Sequence, residues 1–124
     1  MEKFFIAPRL EESPLVSLDP NSGILKVTGD ILLDKEETKL FFSTTIDWLK
    51  SYASNPNTQS ILILDLGYYN EYATESVINL INILQQIPNS SIQWLMDEDN
   101  EDQEEMGEYL SSLITVPFNF QYVT

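Results

Sequence analysis

Residues 60–66 read SILILDL, a β-branched and leucine-rich run with almost no alternation of apolar and polar side chains. A strand that faces water on one side alternates, so this run is expected at the centre of a sheet covered on both faces. Residues 66–76, LGYYNEYATES, lead from it into a stretch with helical spacing that reaches about Ile87. There Val77, Leu80, Ile81, Leu84 and Ile87 form one stripe, while Asn79, Asn82, Gln85 and Gln86 fall on the other side, and Pro88-Asn89 closes the helix. A strand-to-helix join of this kind points free backbone N–H groups and the positive end of a helix dipole at whatever lies in front of it, a setting that suits an anion or phosphate.

Working outward, Val16 to Pro20 reads as a short alternating strand, and Asp19-Pro20-Asn21-Ser22-Gly23 carries turn residues in the order of a hairpin connection into Ile24–Thr28. Gly29-Asp30 ends that second strand. From Glu36 to Tyr52 the period approaches 3.6, with Phe41, Thr45, Trp48, Leu49 and Tyr52 on one side, and Asn55-Pro56-Asn57 stops the helix. Ile92–Met96 is a further strand, Glu101–Ile114 a third helix with Met106, Tyr109, Leu110 and Leu113 inward, and Phe118–Val123 a last strand. The order ββαβαβαβ predicts an α/β fold whose later strands run parallel through right-handed crossovers, in one domain spanning residues 1–124. Sheets of this class place their sites where strands end and helices begin, which singles out residues 66–76.

Composition narrows the chemistry. With 124 residues, 43% apolar, the chain suffices for one core. Twenty acidic against 6 basic residues give a net charge of −14, which argues against binding nucleic acid or an anionic membrane and favours a basic partner. There is neither histidine nor cysteine, so thiol chemistry, Cys/His zinc sites and Ser-His or Cys-His nucleophiles are excluded. The N-terminus MEKFFIAPRL lacks a signal-peptide pattern, and no apolar run approaches about 18 residues, so a cytoplasmic protein without cofactor is expected.

Three local patterns admit a chemical reading. Asp97, Asp99, Glu101 and Glu108 fall at positions 1, 3, 5 and 12 of a calcium-binding loop, the basis for an alternative reading as an acidic divalent-metal module. Asp102 stands where such a loop needs glycine, however, and acids also suit the first turn of a helix. A carboxylate-dependent hydrolase would require two acids in an apolar pocket; Asp65 is the single acid in an apolar neighbourhood, where a hydrogen bond to nearby backbone accounts for it. Phe41, Phe42, Trp48 and Tyr52 read as core rather than a ligand groove, and glycines 23, 29, 67 and 107 are too scattered for a phosphate-binding loop.

Several separate stretches together resemble one family. Ser13-Pro14 followed by Asp19, Gly23-Ile24-Leu25 and Gly29, then Ile46-Asp47-Trp48-Leu49-Lys50-Ser51-Tyr52, then Trp94 with Asp97-Glu98-Asp99, Gly107-Glu108 and Pro117-Phe118, are similar in order and spacing to the SiaC-like regulatory phosphoproteins of bacteria. The resemblance runs from about Ser13 to Phe120. It implies an anti-sigma-factor-antagonist (STAS-like, SpoIIAA-like) fold, a single layer of mixed sheet with helices, and a non-catalytic partner-switching function. In the family a threonine is phosphorylated by a dedicated Ser/Thr kinase and dephosphorylated by a PP2C-type phosphatase, and the unphosphorylated form binds and activates a diguanylate cyclase. The implied partner surface here is Tyr68, Tyr69, Asn70, Glu71 and Tyr72.

Two departures from the family pattern stand out. Against the family's Tyr-x-Asn-Thr-Ser-Ser phosphosite, Tyr68-Tyr69-Asn70 matches, but Glu71 takes the place of the threonine and Tyr72 and Ala73 those of the serines. Upstream, Ile31-Leu32-Leu33-Asp34 replaces a Ser-Tyr-Pro-Glu element. A glutamate carries one negative charge where a phosphate carries about −1.5 to −2. Glu71 therefore leaves four readings open: a protein held near its phosphorylated, released state; a displaced acceptor at Thr74 or Ser76; binding without switching; or a plain helix-start acid contributing about 0.3–1 kcal/mol.

Overall fold

Right-handed crossovers between parallel strands that are laid down in one direction put every connecting helix on the same side of the sheet. The computed structural model, which describes residues 2–7 and 12–123, has this form. Its elements are β1 (Phe4–Ile6), β2 (Leu15–Asp19), β3 (Ile24–Ile31), α1 (Lys35–Ala53), β4 (Ser60–Tyr69), α2 (Glu71–Leu84), β5 (Ser90–Asp97), α3 (Glu101–Ser112) and β6 (Phe118–Val123). The six strands lie in the order of the sequence, antiparallel through β1, β2 and β3 and parallel from β3 to β6. The α/β class and the elements expected from the sequence are present. The β2–β3 hairpin turns at Gly23, whose φ of +74° needs glycine and whose N–H donates to the Asp19 carbonyl at 2.9 Å.

The structure corrects the expected order in one element and the expected burial in two others. β1 precedes the predicted set: three residues show no readable period, and they become a strand by pairing with β2, Phe4 opposite Leu18 and Ile6 opposite Val16. Trp48 secures this segment, with Nε1 donating to the Glu2 carbonyl at 3.3 Å and its ring 6.3 Å from that of Phe4.

β4 is covered on one face, not both. Ser60, Leu62, Leu64 and Leu66 are buried beneath the helices, beside Leu25 and Val27 of β3 and Ile92, Trp94 and Met96 of β5. Ile61, Ile63 and Asp65 point to the opposite, helix-free face and are half-buried. Asp65 is thus outside the core, and its carboxylate makes no backbone hydrogen bond among the described residues.

α1 buries Thr38, Phe42, Thr45, Leu49 and Tyr52, with Phe41 and Trp48 half-buried at the flanks. Trp48 stacks on Tyr52, centroids 5.2 Å apart, and the Tyr52 hydroxyl meets Ser60 Oγ at 2.7 Å, so these aromatics are packing groups as expected. All five residues expected in the α2 stripe are buried. In α3 the buried line is Gln103, Met106, Gly107 and Leu110, whereas Tyr109 and Leu113 are about half exposed, at 51% and 48%. The predicted stripe missed because the helix docks through a polar residue and a glycine, neither of which carries an apolar signal.

Candidate functional site

The C-terminal ends of β3 and β4 carry the candidate surface, built from the backbone up. Gly29, with φ +122°, precedes a register shift in β3, and past it Asp30 Oδ1 accepts the N–H of Tyr68 at 2.8 Å. A β-carbon on Gly67 would collide with that carboxylate, so the glycine is what lets Asp30 reach the β4 backbone. The chain then turns into α2 at Asn70, the N-cap: its Oδ1 accepts from Ala73 N at 3.0 Å while its Nδ2 donates to the Leu33 carbonyl at 2.8 Å. Leu33 belongs to the Ile31–Asp34 segment, so the two departures from the family pattern meet in space. Asp34 caps α1 beside it, its Oδ1 accepting from Glu37 N at 2.8 Å, and that bond holds its carboxyl below the usual carboxylate range.

Of the partner-surface residues foreseen from sequence, Tyr68 is 75% exposed, Glu71 is exposed as the first residue of α2, and Tyr69 and Tyr72 are half-buried. The Tyr69 hydroxyl donates to the Asp102 carbonyl at 2.7 Å, and burial, then the carboxylates of Asp102 and Glu105, push its pKa up. The two alternative acceptors are less available. Ser76 is 6% exposed, and Thr74, half-buried, directs its hydroxyl to the Asn70 carbonyl at 3.3 Å.

Beside Tyr68 lie two adjoining clefts. One, of about 730 Å³, is lined by Tyr68, Val123 and residues 97–102; the other, about 370 Å³, by Gly67, Tyr68, Tyr69, Asn100, Asp102, Glu105 and Met106. The expected calcium-type ligand set does not form there. Asp97 ends β5, Glu101 begins α3, and Glu108 lies seven residues further along that helix, about 10 Å away at 1.5 Å per residue. Among the described residues no three carboxylates are gathered to hold a metal ion.

Sequence reasoning did not single out Asp30, Leu33, Asn100 or Gln103. Asn100 caps α3 by accepting from Gln103 N at 3.1 Å, a pairing that the Asn-x-x-Gln spacing could have flagged. Gln103 itself is buried; its Nε2 donates to the Leu66 carbonyl and its Oε1 accepts from Asp97 N at 2.7 Å, joining the ends of β4 and β5.

The family model for the SiaC family regulatory phosphoprotein matches residues 7–123. The chain belongs to the SiaC family. Solved structures share its fold: SiaC of Pseudomonas aeruginosa is 21% identical with a TM-score of 0.87, over 99% of this chain and 100% of that one. SiaC in the crystal structure of the diguanylate cyclase SiaD in complex with its activator SiaC, from the same organism, is 22% identical with a TM-score of 0.87, over 97% and 99% of the two chains. No curated protein matches the sequence. The SiaC family is regulatory rather than catalytic, and among the described residues no helix is long and apolar enough to cross a membrane.

Proposed function

We propose that this SiaC-family protein is a cytoplasmic partner-switching regulator that binds a diguanylate cyclase-like enzyme through Tyr68, Tyr69, Asn70, Glu71 and Tyr72. Glu71 acts as a fixed negative charge in the place of the phosphothreonine and holds the protein near its released state. The observation that carries the reading is the position of Glu71: exposed, first in α2, directly after the capping Asn70, in a chain whose family match spans residues 7–123. A relative of the same fold activates SiaD, which supports a cyclase as partner. The family's control pair, a Ser/Thr kinase and a PP2C-type phosphatase, would find no hydroxyl at residue 71. The burial of Ser76 and the engaged hydroxyl of Thr74 favour a fixed charge over a displaced acceptor.

The test is binding of the purified protein, and of Glu71→Gln and Glu71→Thr, to the diguanylate cyclase encoded in the same genome. Both variants are expected to bind at least about tenfold more tightly, about 1.4 kcal/mol, and Glu71→Thr to become a kinase substrate. Equal binding by all three proteins would reduce Glu71 to a helix-start acid. Weaker binding by the variants would make Glu71 a direct contact in a protein that binds without switching.

A further inference from the structure

Among the described residues β6 ends the sheet with one side free. It pairs with β5 in unbroken register from Phe118 opposite Ile92 to Val123 opposite Asp97. Ile92 N–H donates to the Pro117 carbonyl at 2.9 Å, which fixes the alternation: residues 119, 121 and 123 turn to β5, and Phe118, Phe120 and Tyr122 direct N–H and C=O outward. Protein edges are ordinarily guarded by charge, proline or a bulge. Phe118–Val123, FNFQYV, has none of these, and Phe120 and Tyr122 are 42% and 54% exposed. We propose that the free edge of β6 is a second interaction surface, which takes an extended lysine- or arginine-bearing segment of another protein as a seventh strand.

Charge selects that occupant. Every lysine and arginine of the chain lies at or before Lys50, so the half containing β4 to β6 carries carboxylates alone. α3 approaches β6 where Gly107 lies against Phe120, and Glu101, Asp102, Glu104, Glu105 and Glu108 are all exposed on that helix. A second copy pairing edge to edge would continue the sheet and bring its α3 to the same face, acids against acids. A cationic segment meets attraction instead, and the outward N–H and C=O groups bind it through backbone alone.

The experiment follows amide exchange by NMR in the full chain as an alternating threonine–lysine octapeptide is added. Phe118, Phe120 and Tyr122 are expected to gain protection, a threonine–glutamate octapeptide to have no effect, and Tyr122→Pro to weaken binding about tenfold or more. Proline there removes an outward donor and no bond to β5. The threonine–lysine peptide N-methylated at alternate amides tests the same point without altering the protein, and it too is expected to bind at least about tenfold more weakly. Undiminished binding of the methylated peptide would reduce the surface to charge and overturn the proposal. So would no binding at millimolar peptide, or protection of the three amides that grows with protein concentration alone, the mark of a second copy.

Discussion

Gly107 lies against the indole of Trp94 so closely that a β-carbon would sit 2.6 Å from Nε1 and 2.7 Å from Cδ1. Both residues lie in the C-terminal stretch whose order and spacing resemble the family's, and this contact gives their placement in this chain a physical reason. Trp94 is fully buried and its Nε1 donates to the Gln103 carbonyl at 2.9 Å, one turn earlier in α3. The ring can take that bond only if the helix approaches closely, and glycine permits the approach.

Gly107→Ala is expected to lower stability by up to about 2 kcal/mol, because forced overpacking of about 1–3 kcal/mol outweighs the gain of about 1 kcal/mol in helix propensity. Denaturant unfolding followed by tryptophan fluorescence measures it. A stabilised variant would show that α3 shifts freely on β5.

Gln103→Leu should cost about 1–3 kcal/mol for the buried Leu66 carbonyl it orphans, and less for the part-buried Asp97 N–H, which water can reach. Thermal unfolding tests this. Amide exchange should speed up at Asp97 in particular, whereas a loss confined to general packing would leave that amide no worse than its neighbours.

Asn70 serves α2 and the lead into α1 at once, and two substitutions separate the roles. Asn70→Ala loses the cap, about 1 kcal/mol, and the donor to Leu33, about another 1 kcal/mol. Asn70→Asp keeps the cap and loses only the donor. Chemical denaturation is expected to place the aspartate variant between the alanine variant and wild type.

Asp34 supplies a pH dependence at the acid end. Its folded pKa lies below the ordinary carboxylate value because Glu37 N–H donates to it. The contribution is therefore present above the unfolded pKa and is lost as pH falls through the folded one. Asp34→Ala should lower Tm at neutral pH and match wild type more closely under strongly acidic conditions.

Tyr69 works at the alkaline end with the opposite shift. A folded pKa raised by burial and by Asp102 and Glu105 gives stability that is complete below the ordinary tyrosine pKa and is lost as pH rises through the folded value. One tyrosine should titrate late in an ultraviolet absorbance titration, and Tyr69→Phe should remove that late step.

The local signals proved readable where a residue's role depends on its chain neighbours. The Asp19–Gly23 turn, the α2 stripe and the strands at residues 60–66 and 92–96 follow from spacing and turn chemistry, which act over a few residues. Residues 66–76 were also legible as a strand-to-helix join, since Asn70 is a capping residue by type. Other features depend on partners distant in the chain. Asp30 finds Tyr68 across 38 residues and Asn70 finds Leu33 across 37, pairings that no local pattern announces. β1 exists because β2 offers it an edge. SILILDL suggested two covered faces because isoleucine and leucine look alike whichever way they point. The crossovers set all three helices on one side, so Leu62, Leu64 and Leu66 became core while Ile61, Ile63 and Asp65 did not.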